Sequence, residues 1–427
     1  MTKRANLEDA ETVLGDREFD TIVVGGGASG LVAAIVSARE GRSVLIVEKL
    51  PRLGVKLLAT GGGRCNLSNT LDVESFISSF GKDGRFMQYA IEKFGYRELV
   101  EFFSSIGVET HIPDGFRIFP TDHKATTVVK ALLAEISKLD IAVECSYRVE
   151  HIITDQNSAI GVESKEQRYY AKNIILSTGG RGYSKLGGGT DGYTLASELG
   201  HRIVETYPAM MPLKVEESWI ANCRADTIGG AEIVVNIKKY KRLRAKGDLI
   251  FTKNGIRGPV VLDFSREITP LFNKMDSVPI LINMTKGMNE EQILSHLKAQ
   301  NSKEPNQNII TLLQTLLPYS IAIELCKLSD IDRDTSLTKQ KGSSRAKLIS
   351  LLAWTPLTIT GHDGFEMAMV TRGGVHLGEI DPHTLQSKIV PNLYLCGELL
   401  NIDGPCGGYN LQWAFSSGYL AGRVLGE

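Results

Sequence analysis

The sequence predicts an α/β fold, a doubly wound parallel-sheet domain interrupted by an inserted β domain and a small helical domain. Three observations carry this expectation. Residues 19–48 read as a buried strand, a glycine turn, a small-residue helix and a second buried strand, a β-turn-α-β unit within about 30 residues. Glycine-rich motifs recur near both ends of the chain. Between them, residues 206–345 hold seven glycines and change to strand-like and then helix-like runs.

The elements follow in order. Residues 1–17 are polar and charged and read as a disordered lead-in rather than a secretory signal. Phe19–Val24 is a β-branched strand run, Ala28–Glu40 a helix with Gly41 at its C-cap, and Ser43–Val47 the second strand. Residues 51–69 read as a long loop. Helical patterns lie near 84–106 and 125–139, and short alternating runs from Ile141 to Tyr170 predict an antiparallel meander. Asn173–Ser177 is a buried strand and 192–199 a helix. Ala231–Lys238 and Val278–Asn283 read as strands, and 289–300, 309–316 and 319–328 as helices. A small-residue, apolar helix at about 410–425 closes the chain. The expected domains are a first part of the α/β domain at 18–205 and a β insert at 206–285. A helical insert at 286–345, a second β part at 346–371 and a second part of the α/β domain at 372–427 complete the chain.

Composition excludes several classes. The chain has 427 residues, 48 Lys and Arg against 49 Asp and Glu, and a formal net charge of -1. A general polyanion binder would show a basic balance. No apolar run reaches the length of a membrane span. The six cysteines form no CxxC pair and read as reduced thiols, which predicts a cytoplasmic protein without a disulfide framework. The eight histidines show no metal-ligand spacing, so no metal site is expected.

The glycine motifs carry the chemistry. Gly25-Gly26-Gly27-Ala28-Ser29-Gly30 fits GxGxxG between a strand and a helix. The pattern supplies a tight turn, close backbone approach to a pyrophosphate and close helix–sheet contact, with the phosphates at a helix N-terminus. Glu48, 18 residues after Gly30, ends the second strand where a carboxylate can accept a ribose hydroxyl. Its charge opposes a 2′-phosphate, so the tightly held nucleotide is ADP-like, from FAD or NAD. Gly187–Gly192 also fits GxGxxG but follows no strand, and an ordinary glycine loop is its better reading.

Near the C-terminus a strand runs into Gly397-Glu398, and Gly407-Gly408 opens the last helix. A helix N-terminus stabilises anions, and a reduced flavin carries negative charge on its pyrimidine edge. An NAD enzyme has no need of this second site, so the motif favours flavin. The strand end Thr178-Gly179-Gly180 fits a turn beside the adenine half of FAD.

With these motifs in place, the chain resembles the BaiN/RdsA family of FAD-dependent oxidoreductases, also called the YhiN or aminoacetone-oxidase-like family. The resemblance runs from about 19 to 425. It rests on the fingerprint, Lys56-Leu57-Leu58-Ala59-Thr60-Gly61-Gly62-Gly63-Arg64-Cys65-Asn66-Leu67-Ser68-Asn69, Thr178-Gly179-Gly180, Leu249–Thr252 with Gly255 and Gly258-Pro259, Thr371–Val375, and Gly397-Glu398 through Gly408-Tyr409-Asn410-Leu411-Gln412. It implies a Rossmann-like two-dinucleotide-fold FAD domain with an inserted β domain and a small helical domain. Lys253, Arg257, Asn401 and Cys406 depart from the family pattern.

The resulting FAD set is Gly25, Gly27, Ala28, Ser29, Gly30, Glu48, Lys49, Gly62, Gly63, Arg64, Thr178, Gly179, Gly397, Glu398, Gly408, Asn410 and Leu411. The catalytic candidates are Arg64, Cys65, Asn66 and Tyr409. Arg64 can bind a substrate oxygen or the flavin edge, against a structural ion pair. Cys65 can protonate a carbon opposite the incoming hydride, against a small buried filler. Asn66 can bond flavin or substrate, against turn capping. Tyr409 can line the pocket, against packing.

Activities in the family are reduction of a uridine in 23S ribosomal RNA to dihydrouridine, reduction of dehydro bile acids and oxidation of small amines. The resemblance therefore implies hydride transfer from NADH or NADPH, a transient donor, through flavin N5 to a conjugated C=C. Lys238–Lys246 holds six cations in nine residues with Tyr240 among them, and is expected at a hairpin tip where it can contact an rRNA substrate. A solvated hairpin is the plain alternative. A small-molecule substrate follows if the enzyme is an amine oxidase or a dehydrosteroid reductase. A third class is a non-catalytic flavin-containing RNA-binding factor.

Overall fold

The first strand, Glu18–Val24, sits in the middle of a parallel sheet because both its faces are covered, with Ile22 and Val23 fully buried. A computed structural model describes residues 18–305 and 307–424; the lead-in at 1–17 lies outside them. On one side the first strand pairs in parallel with Val44–Glu48, which pairs in parallel with Ala142–Cys145. On the other it pairs with Arg168–Leu176. The far edge of that strand forks: Arg168–Tyr170 pairs antiparallel with Ser158–Glu163, and Ile174–Leu176 pairs parallel with Leu393–Leu395. His151–Asp155 completes this seven-stranded sheet.

Ala142–Cys145 corrects one expectation. It belongs to the parallel sheet, and only the strands from His151 onward form the antiparallel meander. Helix Ala125–Lys138 precedes it and supplies the crossover that a parallel neighbour requires. Alternation in four residues cannot separate the two pairings. The loop expected at 51–69 also holds a short helix, Val55–Ala59, and a tight turn at Thr60–Gly63. The pattern at 84–106 is two helices, Gly84–Lys93 and Tyr96–Ser105, and Asp72 caps an unexpected helix, Val73–Ser78.

The chain divides into two units, the first made of the described residues up to Thr206 and from Val370, the second of Tyr207–Met369. Each has its own apolar core. In the first, the fingerprint helix Ala28–Arg39 packs against the last helix, Tyr409–Gly422, through glycine. A Cβ on Gly418 would lie 2.2 Å from the Ser29 carbonyl oxygen, and one on Gly422 would lie 2.4 Å from that of Ala33. The two backbones therefore touch, and no larger residue fits without displacement.

The second unit is a closed six-stranded antiparallel barrel. Its strands run in the order Leu213–Val215, Gly255–Arg257, Arg244–Phe251, Thr227–Val235, Val278–Asn283 and Thr355–Gly361. Helix Pro259–Ile268 starts with proline, which suits the first helical position. Four helices follow: Glu290–Lys303, Ile309–Leu313, Tyr319–Leu328 and Gly342–Ala353. Asn289 and Gln292 form a capping box on the first. The last crosses the boundary expected between 345 and 346. No helix among the described residues is long and apolar enough to cross a membrane.

Candidate active site

The fingerprint turn is shaped by contacts that only glycine permits. Gly25 has φ +104°, and Gly30 lies so close to Gly25 that a Cβ would overlap the Gly25 carbonyl oxygen. Gly27 is the N-cap of the fingerprint helix, and a Cβ there would meet nothing within 4 Å. The turn is closed behind and open in front, where the helix's first N–H groups have no intrahelical partner. Ser29 is buried, and its hydroxyl lies against Gly397.

Glu48 is held by two backbone donors. Its Oε2 accepts from Gly26 N–H at 2.8 Å and its Oε1 from Leu50 N–H at 2.9 Å. Each oxygen keeps a lone pair, so a ribose hydroxyl can still donate to it. Lys49 makes a 2.8 Å ion pair with Asp191, which also pairs with Arg148. This places the fingerprint strand end beside the helix that follows Gly187–Gly189, whose own GxGxxG-like run still follows no strand.

A second cluster lies where the sheet meets Gly397-Glu398. Glu398 Oε1 accepts from Thr371 N–H at 2.8 Å, and Oε2 pairs with Lys56 Nζ at 2.8 Å. Thr178 Oγ1 and Tyr193 Oη are buried beside it with no hydrogen-bond partner in this structure. Burial, reinforced by the Glu398 charge, pushes the Tyr193 phenol up. Gly179 has φ +72° and faces open space. Sequence reasoning missed Lys56, Thr371 and Tyr193 as members of this group. Lys56 and Thr371 lie in motifs that were noted, but only the fold brings them to Glu398.

The C-terminal helix is tied in at its first turn. Gly408 has φ +89°, and a Cβ there would meet the Ser68 carbonyl oxygen at 2.3 Å. With its amide oriented to suit its neighbours, Asn66 accepts from Gly408 N–H at 3.0 Å and donates to the carbonyl oxygens of Ser68 and Ile118 at 2.9 and 3.3 Å. Asn69 donates to Gly407 O at 3.0 Å. Asn410 accepts from Gly404 N–H at 2.7 Å and donates to Gly404 O at 2.9 Å. C-terminal to these, the Trp413 indole donates to Gly397 O at 3.2 Å, and Ser417 accepts from Gly397 N–H at 2.9 Å.

These contacts redistribute the expected roles. Asn66 and Asn410 spend their amides holding loops. Cys65 is fully buried in the core with φ +57°, and burial pushes its thiol up to about 12, so it does not stand open as a proton donor. Tyr409 packs among Phe76, Phe80 and Phe116, with its hydroxyl 3.4 Å from Ser79 Oγ. Arg64 is exposed. It follows three consecutive left-handed glycines, Gly61, Gly62 and Gly63, and its Nε donates to Gly61 O at 3.2 Å.

The model of the HI0933-like protein Rossmann domain fits residues 19–424. The chain belongs to the HI0933-like family. It is thereby an FAD-dependent oxidoreductase built on a Rossmann-like domain. The chain is 34% identical to the 3-dehydro-bile acid delta(4,6)-reductase of Clostridium scindens over 95% of this chain and 98% of that one. It is 26% identical to the ribosomal RNA dihydrouridine synthase of Escherichia coli over 95% and 98% of the two chains. The synthase of Haemophilus influenzae is 28% identical over 94% and 96%. In structure the chain is similar to 3-ketosteroid delta1-dehydrogenase from Sterolibacterium denitrificans. The TM-score is 0.52 at 11% identity, covering 95% of this chain and 99% of that one. This last likeness concerns the fold.

The cradle of this HI0933-like chain suits FAD. Open space at Gly27 and Gly179, the carboxylate of Glu48 and the unpartnered Thr178 hydroxyl offer the spacing and donors a long dinucleotide requires. In the second unit, Lys238–Lys246 joins the antiparallel strands Thr227–Val235 and Arg244–Phe251. Arg244 lies 3.6 Å from Glu232, while Lys238, Lys239, Lys241 and Arg242 make no ion pair with another described residue. Lys253 and Arg257 are exposed on the same unit.

Proposed function

We propose that the chain reduces a C=C conjugated to a carbonyl, with NADH or NADPH as transient donor and a uridine of 23S ribosomal RNA as leading substrate. The observation that carries this reading is the paired cradle, a fingerprint turn and a second glycine-opened helix joined through Gly397. Both named activities of the relatives, bile-acid reduction and dihydrouridine synthesis, fit that one reaction type. Bound FAD would supply hydride transfer at N5, two electrons and one proton to one alkene carbon, with a proton from solvent completing the other.

The chain's own residues supply position and charge. Gly25, Gly27, Ala28, Ser29 and Gly30 receive the pyrophosphate at a helix N-terminus. Glu48 orients the ribose, and Lys49 and Asp191 brace the strand end beside it. Thr178 and Gly179 lie beside the adenine half of the cofactor, and Gly397 and Glu398 hold its middle, with Lys56 fixing Glu398. The first-turn N–H groups of Tyr409, Asn410 and Leu411 stabilise negative charge on the pyrimidine edge. Gly62 and Gly63 run along the cofactor, and Arg64 after them reaches the flavin edge or a substrate oxygen.

The exposed hairpin at 238–246 favours RNA among the acceptors, since four uncompensated cations beside a tyrosine suit a phosphate backbone and a base. The 34% identity to the bile-acid enzyme favours a dehydrosteroid as second reading. The test is anaerobic reduction of the purified flavoprotein by NADH, then reoxidation by an rRNA fragment, a dehydrosteroid, aminoacetone's imine product or O2. Fastest reoxidation by RNA supports the leading reading. A colourless protein that takes up no FAD refutes the cofactor, and unchanged rRNA dihydrouridine after gene deletion refutes the substrate.

A further inference from the structure

We propose that Arg64 and Arg117 form a receptor for an oxyanion of the substrate, a phosphate or a carboxylate, built on the face of Phe119. The proposal rests on the functional reading above and narrows its substrate to an anion.

Both guanidinium carbons lie 5.7 Å from the centroid of the same ring. Phe119 is 2% exposed, so it is a fixed platform. It is fixed by register. Ser68 and Asn69 pair with Ile118 and Arg117, and Thr110 and His111 pair with Pro120 and Phe119. That small sheet joins the Gly61–Gly63 loop to the 110–120 hairpin, so Arg64 and Arg117 reach one ring from two segments 53 residues apart.

The charge is not balanced. Asp114 accepts from Arg117 Nε at 2.6 Å and from the backbone N–H groups of Phe116 and Arg117, and the terminal amino groups of Arg117 make no hydrogen bond to another described residue. Arg64 bonds only the Gly61 carbonyl through Nε and pairs with no carboxylate among the described residues. With Asp114 counted, the two guanidinium groups leave the cluster one net positive charge, which a further anion can neutralise. A guanidinium stacked on an aromatic face keeps its N–H edge free, and that fork matches a carboxylate or phosphate.

Two further side chains extend the patch. The His123 ring lies 5.1 Å from Phe119 and the His111 ring 4.5 Å from His123. His111 Nε2 and His123 Nδ1 are enclosed without a hydrogen-bond partner, and His123 holds φ +53°, a conformation that costs energy for a non-glycine residue. Both nitrogens belong to the aromatic cluster around Phe119 and keep their hydrogen-bonding capacity unused.

The experiment uses the FAD-loaded full chain, reduced anaerobically with dithionite so that the nicotinamide is not needed. Reoxidation is followed with three acceptors: a uridine-bearing RNA stem-loop, a dehydrosteroid with a carboxylate side chain, and its methyl ester. Arg64→Gln and Arg117→Gln are each expected to cut the acid-over-ester preference in kcat/KM about tenfold through KM, and the Lys variants to restore part of it. If RNA is the acceptor, each Gln variant lowers the salt slope of binding by about one. Equal losses on acid and ester, or no loss on either, overturn the proposal. If no acceptor reoxidises the wild type, the functional reading fails, and calorimetric titration with inorganic phosphate still decides the receptor. Binding that both Gln variants lose supports it, and no binding to the wild type overturns it. Unchanged circular dichroism and thermal unfolding in each variant confirm that the fold is intact.

Discussion

Gly418→Ala tests whether the two halves of the first unit are held by backbone contact. In an exposed helix interior this change stabilises by up to about 1 kcal/mol, because alanine loses less backbone entropy. Here the new Cβ would lie 2.2 Å from the Ser29 carbonyl oxygen and 2.9 Å from its carbon. Relief of that contact needs the helices to separate by roughly 1 Å, and overpacking of this kind costs about 1–3 kcal/mol. Taking the middle of that cost, about 2 kcal/mol, against the full propensity gain of about 1 leaves a net loss of about 1 kcal/mol, which for a unit of this size lowers Tm by roughly 2–4 °C. Ser29 belongs to the fingerprint turn, so FAD should also leave at a lower temperature. The assay is thermal unfolding with flavin fluorescence as a second signal. Gly342→Ala, whose Cβ would meet nothing within 4 Å, is the control and should be neutral or mildly stabilising. An unchanged or raised Tm for Gly418→Ala, with full FAD retention, refutes the contact argument.

Three further outcomes follow from the same structure. Asp20 is held down to about 2 by its hydrogen bond to Lys172, then by bonds from Ser43. Its contribution is therefore complete above the ordinary aspartate range near pH 4 and disappears as pH falls through about 2, so the stability gap between wild type and Asp20→Asn should close over that window in acid unfolding. Native thiol titration at neutral pH should label at most Cys145 and Cys406, since Cys65, Cys223, Cys326 and Cys396 are buried with thiols pushed up to about 12, 12, 11 and 12; rapid labelling of all six would contradict the packing. Replacing the six cations of 238–246 by serine should weaken RNA binding in electrophoretic shift assays by about tenfold or more at low salt while NADH still reduces the flavin, and undiminished binding would remove the hairpin from the interface.

Much of the site was legible because its chemistry is local in sequence. A strand, a Gly25–Gly30 turn, a helix and Glu48 stand in the order that a pyrophosphate and a ribose require, and steric need leaves few residues besides glycine at such a turn. The glycine excess, twenty of 43 in five short windows at 25–30, 61–63, 179–192, 373–374 and 397–408, marks the same backbone approaches. The tertiary structure decided what depends on partners far apart in the chain. Whether Asn66 binds a ligand or the Gly408 N–H cannot be read from a loop, since both partners are equally good acceptors or donors in isolation. Cys65 became a core residue through 0% exposure, which spacing does not encode. Lys56 met Glu398 across 342 residues, and Arg64 met Arg117 on Phe119 through strand register. Local sterics fix a turn within six residues, but the charge and access of a side chain are set by what the rest of the fold brings against it.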